Sequence, residues 1–436
     1  MKASHYNLYA KNKTKNTVCF NTKLDAFCIL SNKDLELLKT NIPLLASQSP
    51  NVYNALVEKG FIIEDNIDEY KLLCEEYESA ISNNSIYRLT ILPSLDCNLR
   101  CWYCFEKHIQ GSHLENKTSD SIFRFVKKLF ENNPNLETLD VELFGGEPLL
   151  YFEKELYPLL NKIKNYVNEL GKNVSFFFVT NAVCINEATI PLFKELKANF
   201  QISIDGFKDR HDKIKFIPDT QIGTYNHVIQ IIHRLTEEIE SCYINLRINY
   251  DDETLSHMEE LIKDLSGIKR KKIGIHLERV WQTIGFSNYE NEELKSIINT
   301  WMTNGFNISY MNMHRRCYSC KASVKNQCII SYDGAIYKCA GRDFTPKHKD
   351  GVLNTDGSIT WDKKKLEERL NIQTYNNEMC RDCKFLPLCW GPCSQKQMES
   401  KDRDFTRYCQ KRNMEISIAD YIRYRFNNSY IKSHRT

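Results

Sequence analysis

Tyr87-Arg88-Leu89-Thr90-Ile91-Leu92 and, just beyond it, Asp96-Cys97-Asn98-Leu99-Arg100-Cys101-Trp102-Tyr103-Cys104-Phe105 make up the stretch from which the fold can be read. A β-rich run leads into three cysteines spaced C-x3-C-x2-C and closed by an aromatic residue. Three thiolates on one tight loop can hold three irons of a [4Fe–4S] cube and leave the fourth iron without a protein ligand. An open coordination site is where chemistry can happen. A zinc site would want a fourth ligand of its own, and His108 is the only nearby candidate. Ligand count therefore favours iron–sulfur.

Outward from that stretch, the bulk properties set limits. The chain has 436 residues, 42% of them hydrophobic and 26% charged, which suits roughly two to three globular domains. A net charge of +3 announces no polyanion-binding face, so nucleic acid is not expected as a partner. Lys269-Arg270-Lys271-Lys272 is the one dense basic run and reads as a solvated loop before the strand Ile273–Leu277. The N-terminus has no apolar h-region, and no apolar run approaches the about 18 residues of a membrane helix. A cytoplasmic location with no membrane partner is the expectation. Without an export signal, the seventeen cysteines argue for metal ligation rather than disulfides. Nine of them crowd between Cys317 and Cys409.

From Tyr87 to about Val280, short β-rich runs alternate with amphipathic helical runs. The strand candidates are Tyr87–Leu92, Leu139–Phe144, Val174–Val179, Phe200–Ile204, Tyr243–Ile248 and Ile273–Leu277. Most are dense in Val, Ile, Phe and Leu, as strands buried on both faces should be. Helical stripes lie between them: Ile122, Phe125, Val126 and Leu129; Leu156, Leu159, Leu160, Ile163 and Val167; Val228, Ile231, Ile232 and Leu235. Six β/α units in a row imply an α/β fold with a parallel sheet curved into a partial or whole barrel, whose ligand site lies at the C-terminal ends of the strands. The cysteine triplet falls on that rim. So do Gly145-Gly146-Glu147-Pro148, Thr180-Asn181, Ser203 with Asp205-Gly206, and Arg247 with Asn249. Each cluster alone could be a turn or a cap. Together on one face they point to a ligand pocket.

Cys97, Cys101 and Cys104 with the following aromatic, the Gly-Gly-Glu-Pro and the Ser203-Ile204-Asp205-Gly206 resemble the radical S-adenosylmethionine (SAM) superfamily over roughly residues 87–280. The resemblance implies a partial (β/α)6 barrel and a [4Fe–4S] cluster on the three cysteines, with SAM chelating the open iron. It also implies reductive cleavage to a 5′-deoxyadenosyl radical, the cofactors supplying the chemistry while the protein positions substrate and excludes water. By the same resemblance Gly146 and Glu147 hold the methionine amino group. Gly145, Thr180 and Asn181 belong to the cofactor rim, and Ser203, Asp205 and Arg247 are candidates for the carboxylate and ribose. His211-Asp212-Lys213-Ile214-Lys215 departs from a common His-Asp-x-x-Arg segment, because Lys215 lacks the bidentate fork of arginine.

The C-terminal third carries Cys380-x2-Cys383-x5-Cys389-x3-Cys393, then Cys409, preceded by Cys320, Cys328 and Cys339 around Tyr332-Asp333-Gly334-Ala335, a hairpin-turn signal. Eight thiolates suit two four-cysteine clusters, and spacing alone also allows two zinc knuckles. The order resembles the SPASM domain, which implies two auxiliary [4Fe–4S] clusters, three clusters in all. Cys320, Cys328, Cys339 and Cys393 would hold one, and Cys380, Cys383, Cys389 and Cys409 the other. Cys317 is then spare, replaces Cys320, or donates hydrogen to a product radical. Cys19, Cys28, Cys74, Cys184 and Cys242 read as small core residues.

Before the barrel, Tyr6–Tyr9 and Thr17–Leu30 suggest strands. Asn32–Thr40 and Val52–Lys59 suggest helices, with Phe61-Ile62-Ile63 after Gly60 and a charged helix over Asp68–Ala80. The pattern resembles the winged-helix modules that recognise leader peptides, and a structural cap is the alternative. The expected domains are 1–82, winged-helix-like; 83–285, radical SAM barrel; 286–310, bridging helix; 311–415, SPASM; and 416–436, C-terminal helix and tail. The expected function is a radical SAM/SPASM maturase that crosslinks a ribosomally made precursor peptide, with a flavodoxin- or ferredoxin-type reductant. An anaerobic sulfatase-maturating enzyme and a zinc-binding interaction protein are the alternatives.

Overall fold

The computed structural model describes residues 1–11, 16–283, 290–311, 313–400 and 408–434. Four residues of the expected bridging segment, 286–289, lie outside the described residues, as do positions 312 and 401–407 of the SPASM stretch and 435–436 of the tail. The chain packs as two units. One is Ile81–Ile284 with Lys321–Ile372, and the other is Met1–Ala80 with Gly285–Cys320 and Gln373–Thr436.

The first unit is built on six parallel strands laid side by side in chain order: β1 (Ile86–Leu92), β2 (Thr138–Leu143), β3 (Asn173–Thr180), β4 (Asn199–Ile204), β5 (Ile244–Tyr250) and β6 (Ile273–Arg279). The crossovers are α1 (Asn116–Asn132), α2 (Tyr157–Glu169), α3 (Ile190–Leu196), α4 (Lys208–Ile214) with α5 (Tyr225–Glu238), and α6 (Asp252–Leu255) with α7 (Met258–Asp264). The helix that follows β6 in the chain, Glu292–Thr303, packs in the other unit.

The strands are not uniformly apolar. One face carries Val141, Phe178, Ile202, Leu246 and Ile275, all buried. The other presents Glu142, Gln201, Arg247, Asn249, His276 and Glu278, at the alternate positions that the register sets opposite one another. Period-2 alternation is what a curved, open sheet needs when its concave side holds a polar ligand. The sequence expectation of burial on both faces holds for one face only.

Rings tie the sheet to its helices. Phe193 of α3 stacks on Phe152 at 4.4 Å and meets Phe178 and Phe200 edge-on at 5.1 and 5.2 Å. It is fully buried. Phe193→Ala is expected to cost about 3–5 kcal/mol, read as a lowered midpoint in denaturant titration.

The same sheet continues past β1. Strand β7 (Gln327–Ser331) runs parallel to β1, pairing Cys328 with Leu89. β8 (Ala335–Tyr337), β9 (Gly351–Leu353) and β10 (Ile359–Trp361) follow antiparallel. The turn read at Asp333-Gly334 joins β7 to β8. Gly334 takes φ +81, which favours glycine, and Ala335 N donates to Asp333 Oδ1 at 3.0 Å.

In the second unit, Asn7–Lys11, Asn16–Asn21 and Ala26–Ser31 form an antiparallel sheet ahead of helices Asn32–Thr40, Ile42–Gln48 and Pro50–Glu58. The sequence expectation missed the middle helix. Pro43 sits in its first turn, where no N–H is required, and Asn41 Oδ1 accepts from Leu44 N as the cap. Cys19, Leu38, Leu45, Leu56 and Phe61 form the core there. Elsewhere in this unit Tyr77, Tyr375 and Trp390 meet at 4.6–5.5 Å. The Trp390 indole donates to Arg316 O. Among the described residues no helix is long and apolar enough to cross a membrane.

Candidate active site

The cysteine loop leaves the C-terminal end of β1 and is pinned from within. Ser94 Oγ donates to Ser112 O at 2.7 Å, and Asp96 accepts from Cys97 N (2.7 Å) and Gly111 N (2.8 Å). The Gly145-Gly146 turn after β2 lies flat against this loop. Gly146 N donates to Ser94 O and Glu147 N to Asp96 O, at 3.2 and 2.8 Å. A Cβ on Gly146 would sit 2.1 Å from Asp96 O. One on Gly145, at φ +114, would sit 2.5 Å from Ser94 O. These glycines let two backbones touch.

Cys97 and Cys101 are half-buried and Cys104 is exposed. Burial, reinforced by the Glu147 charge, pushes the Cys97 thiol up to about 12, and burial raises Cys104 as well. Cys97 Sγ accepts from Leu99 N (3.4 Å) and Asn181 Nδ2 (3.8 Å), and Cys101 Sγ from Lys215 Nζ (3.6 Å). His108 Nε2 lies 3.6 Å from Cys104 Sγ. Among the described residues no three His, Cys, Asp or Glu side chains converge as the ligands of one ion do. Three thiols on one pinned loop, flanked by N–H donors, fit a cluster whose irons displace the thiol protons.

Glu147 is a hub. Its carboxylate is buried and accepts from Thr180 Oγ1 (2.7 Å), Asn181 N (2.9 Å) and Leu149 N (3.1 Å), joining the ends of β2 and β3. Burial pushes it up to about 7 against the pull of those bonds. Glu106, directly after the cysteine loop, also stands at about 7, because burial and then the Glu147 charge raise it. Its Oε2 is buried without a hydrogen-bond partner. Two raised carboxyls, one with an orphaned oxygen, fit a ligand ammonium group.

Across the rim, Asp205 is fully buried. It accepts from Tyr103 Oη at 2.7 and 2.8 Å and from Asn249 Nδ2 at 3.4 Å, and it pairs with Lys215 at 3.7 Å. Arg247 Nε donates to Asn249 Oδ1 at 3.0 Å, and Ser203 is the strand partner of Arg247. On β6, His276 Nε2 lies 2.9 Å from Glu278 Oε2. Burial pushes the Glu278 carboxyl up, but the His276 bond and the Arg247 charge outweigh it and hold it below its ordinary value. The structure thus joins Cys97 to Glu147, Thr180 and Asn181, and Cys101 to Asp205.

Sequence reasoning passed over Tyr103, Glu106, His276 and Glu278. Polar residues two apart in β6, matching Arg247 and Asn249 of β5, were the available signal for the last pair. Cys184, read as core, accepts instead from Asn98 Nδ2 at 3.5 Å beside the cysteine loop.

In the second unit Cys380, Cys383, Cys389 and Cys409 line one cavity of about 240 Å³, with Lys411 and Arg412 at its wall. Burial pushes Cys380 up to about 11 and Cys389 to about 12. Cys320 and Cys393 are exposed in this unit, whereas Cys328, fully buried on β7, and Cys339 belong to the other. Cys317 Sγ donates to Glu76 Oε1 at 3.2 Å, and Arg315 pairs with the same carboxylate.

Residues 91–265 match the model of the Radical SAM superfamily, so this chain carries a radical SAM domain and is a radical SAM enzyme. That domain implies S-adenosylmethionine and a [4Fe–4S] cluster. The chain is 22% identical over 385 residues to the radical SAM cyclopropyl synthase TigE of Paramaledivibacter caminithermalis, covering 80% of this chain and 77% of that one. It is 23% identical over 337 residues to the cysteine-type anaerobic sulfatase-maturating enzyme of Clostridium novyi, covering 70% and 86%. Its fold is similar to that of Streptococcus suis SuiB bound to precursor peptide SuiA, with TM-score 0.53 and 16% identity over 93% of this chain and 98% of that one.

Proposed function

We propose that the chain is a radical SAM/SPASM peptide maturase that installs a crosslink in a ribosomally made precursor peptide. The observation that carries this is the extent of the likeness to SuiB. It spans 93% of the chain, more than the barrel and the cysteine-rich stretch together, whereas the fold likeness to the sulfatase maturase anSMEcpe spans 79%. Residues 1–82 are then a leader-recognition module, and the sheet ending in Ala26–Ser31 offers an edge to which a peptide strand can add.

When bound, the cluster and S-adenosylmethionine supply a 5′-deoxyadenosyl radical that takes a hydrogen atom from the peptide. Cys97, Cys101 and Cys104 hold the cluster. Glu147 and Glu106 take the methionine ammonium, Gly145 and Gly146 bring the Glu147 turn against the cysteine loop, and Thr180 and Asn181 hold Glu147 in place. Ser203, Asp205 and Arg247 line the opposite wall, for the carboxylate and ribose. Cys380, Cys383, Cys389 and Cys409, which line one cavity, would hold an auxiliary cluster. With all four of those thiolates engaged, that cluster would have no open iron, which favours electron transfer over ligation of substrate. A flavodoxin- or ferredoxin-type protein supplies the electron.

The test is mass spectrometry of two peptides incubated with the reduced enzyme and S-adenosylmethionine. One is the product of any short open reading frame found beside this gene, and the other a sulfatase-derived cysteine peptide. Loss of two hydrogens per crosslink from the first, with the second untouched, is expected. Formylglycine in the second would establish the sulfatase reading instead.

A further inference from the structure

Lys215 is a buried lysine placed where burial needs a reason. Only 4% of it is exposed, its partner Asp205 is fully enclosed, and taking both charges out of water is opposed by their lost hydration. The pair is nevertheless held rigidly. Lys215 N donates to His211 O (2.7 Å), and Thr224 Oγ1 to Lys215 O (2.8 Å). Asp205 N donates to His211 Nδ1 (3.3 Å), and Tyr103 Oη grips the Asp205 carboxylate. The ammonium therefore has little freedom, and beyond Asp205 it is aimed at Cys101 Sγ, 3.6 Å away. It also stands 5.6 Å from the centre of the Tyr103 ring.

A compact ammonium with three donors can serve a carboxylate and a sulfur at once. The planar fork of arginine would spend its paired donors on the carboxylate. A fixed positive charge donating to a ligating thiolate favours the more negative, reduced state of a cluster, and so raises its reduction potential. We propose that Lys215 is a positioning residue that sets the potential of the cluster held by Cys97, Cys101 and Cys104, with Asp205 and Tyr103 fixing its ammonium against Cys101. This rests on the reading that those three cysteines ligate the cluster.

The test is an EPR-monitored redox titration of the full-length, reconstituted chain. The signal of the N-terminal cluster is isolated by subtracting the Cys97→Ala/Cys101→Ala/Cys104→Ala variant, and iron is counted in each sample. Lys215→Met, which keeps the volume and removes the charge, should shift that cluster to a more negative potential at unchanged iron content. Lys215→Arg should fall between it and the wild type. Asp205→Asn leaves the ammonium uncompensated and should shift the potential the opposite way, so it decides the matter if Lys215→Met fails to load iron. An unshifted Lys215→Met cluster, or a negative shift in Asp205→Asn, overturns the proposal. Failure of the cluster assignment looks different: iron would then not fall in the triple-cysteine variant.

Discussion

Cys97→Ala/Cys101→Ala/Cys104→Ala protein, reconstituted without oxygen, is expected to carry about eight irons where the wild type carries about twelve, and to cleave no S-adenosylmethionine. The loss should be complete, because no other residue at the rim can substitute. His108 and Cys184 lie beside the loop, at Cys104 and Asn98 respectively, but neither replaces three thiolates on one pinned turn. The complementary variant alters Cys380, Cys383, Cys389 and Cys409, which line a single cavity. It should also lose about four irons, yet keep the ability to cleave S-adenosylmethionine in the absence of peptide. Iron analysis with EPR and a 5′-deoxyadenosine assay separates the two. If zinc replaced iron in the C-terminal set, that variant would lose zinc and leave the iron count alone, and the two auxiliary clusters would be withdrawn.

What could be read from the sequence divides along a physical line. The six parallel strands were legible because their Val, Ile, Leu and Phe runs repeat with helical stripes between them, and each observed strand matches its expectation to within about two residues. The triplet and Gly145-Gly146 were legible as chemistry, since spacing and residue type carry that signal locally. The partner of the glycines was not. They were read as room for a ligand, and the backbone they meet is that of Ser94 and Asp96, some fifty residues earlier. Lys215 stood out as a departure from a motif, but Cys101, the sulfur it meets, is 114 positions away in the chain. The parallel pairing of β7 with β1 is of the same kind. Nothing within Gln327–Ser331 states that it will add to a strand more than two hundred residues before it. Local composition specifies elements, whereas contacts across the sheet are settled only by the whole chain.

Glu147→Gln is expected to retain its iron and lose most of its affinity for S-adenosylmethionine. Removing a charged acceptor from a buried ammonium contact costs about 1.5–3 kcal/mol, roughly ten- to a hundredfold in Kd. The wild-type affinity should also fall as the pH drops below about 7, because Glu147 stands at about 7 and only its ionised form offers a full charge to the ammonium. The sign for stability is the reverse. A carboxyl raised by burial contributes stability that is present below its unfolded value, near 4.5, and lost as the pH rises through about 7, so the ligand-free rim is most strained when it is ready to bind. A bound ammonium relieves that strain, which couples ligand affinity to local order at the joined ends of β2 and β3. Glu147→Ala should go further. It leaves the donors of Thr180, Asn181 and Leu149 without their acceptor, each costing about 1–3 kcal/mol, and should lower Tm where the glutamine does not. Equilibrium binding at about pH 6 and about pH 8, with thermal denaturation of both variants, checks the set. A glutamine variant that kept the wild-type pH profile would move the ammonium site elsewhere, with Glu106 and its unpartnered oxygen as the remaining carboxylate beside the cysteine loop.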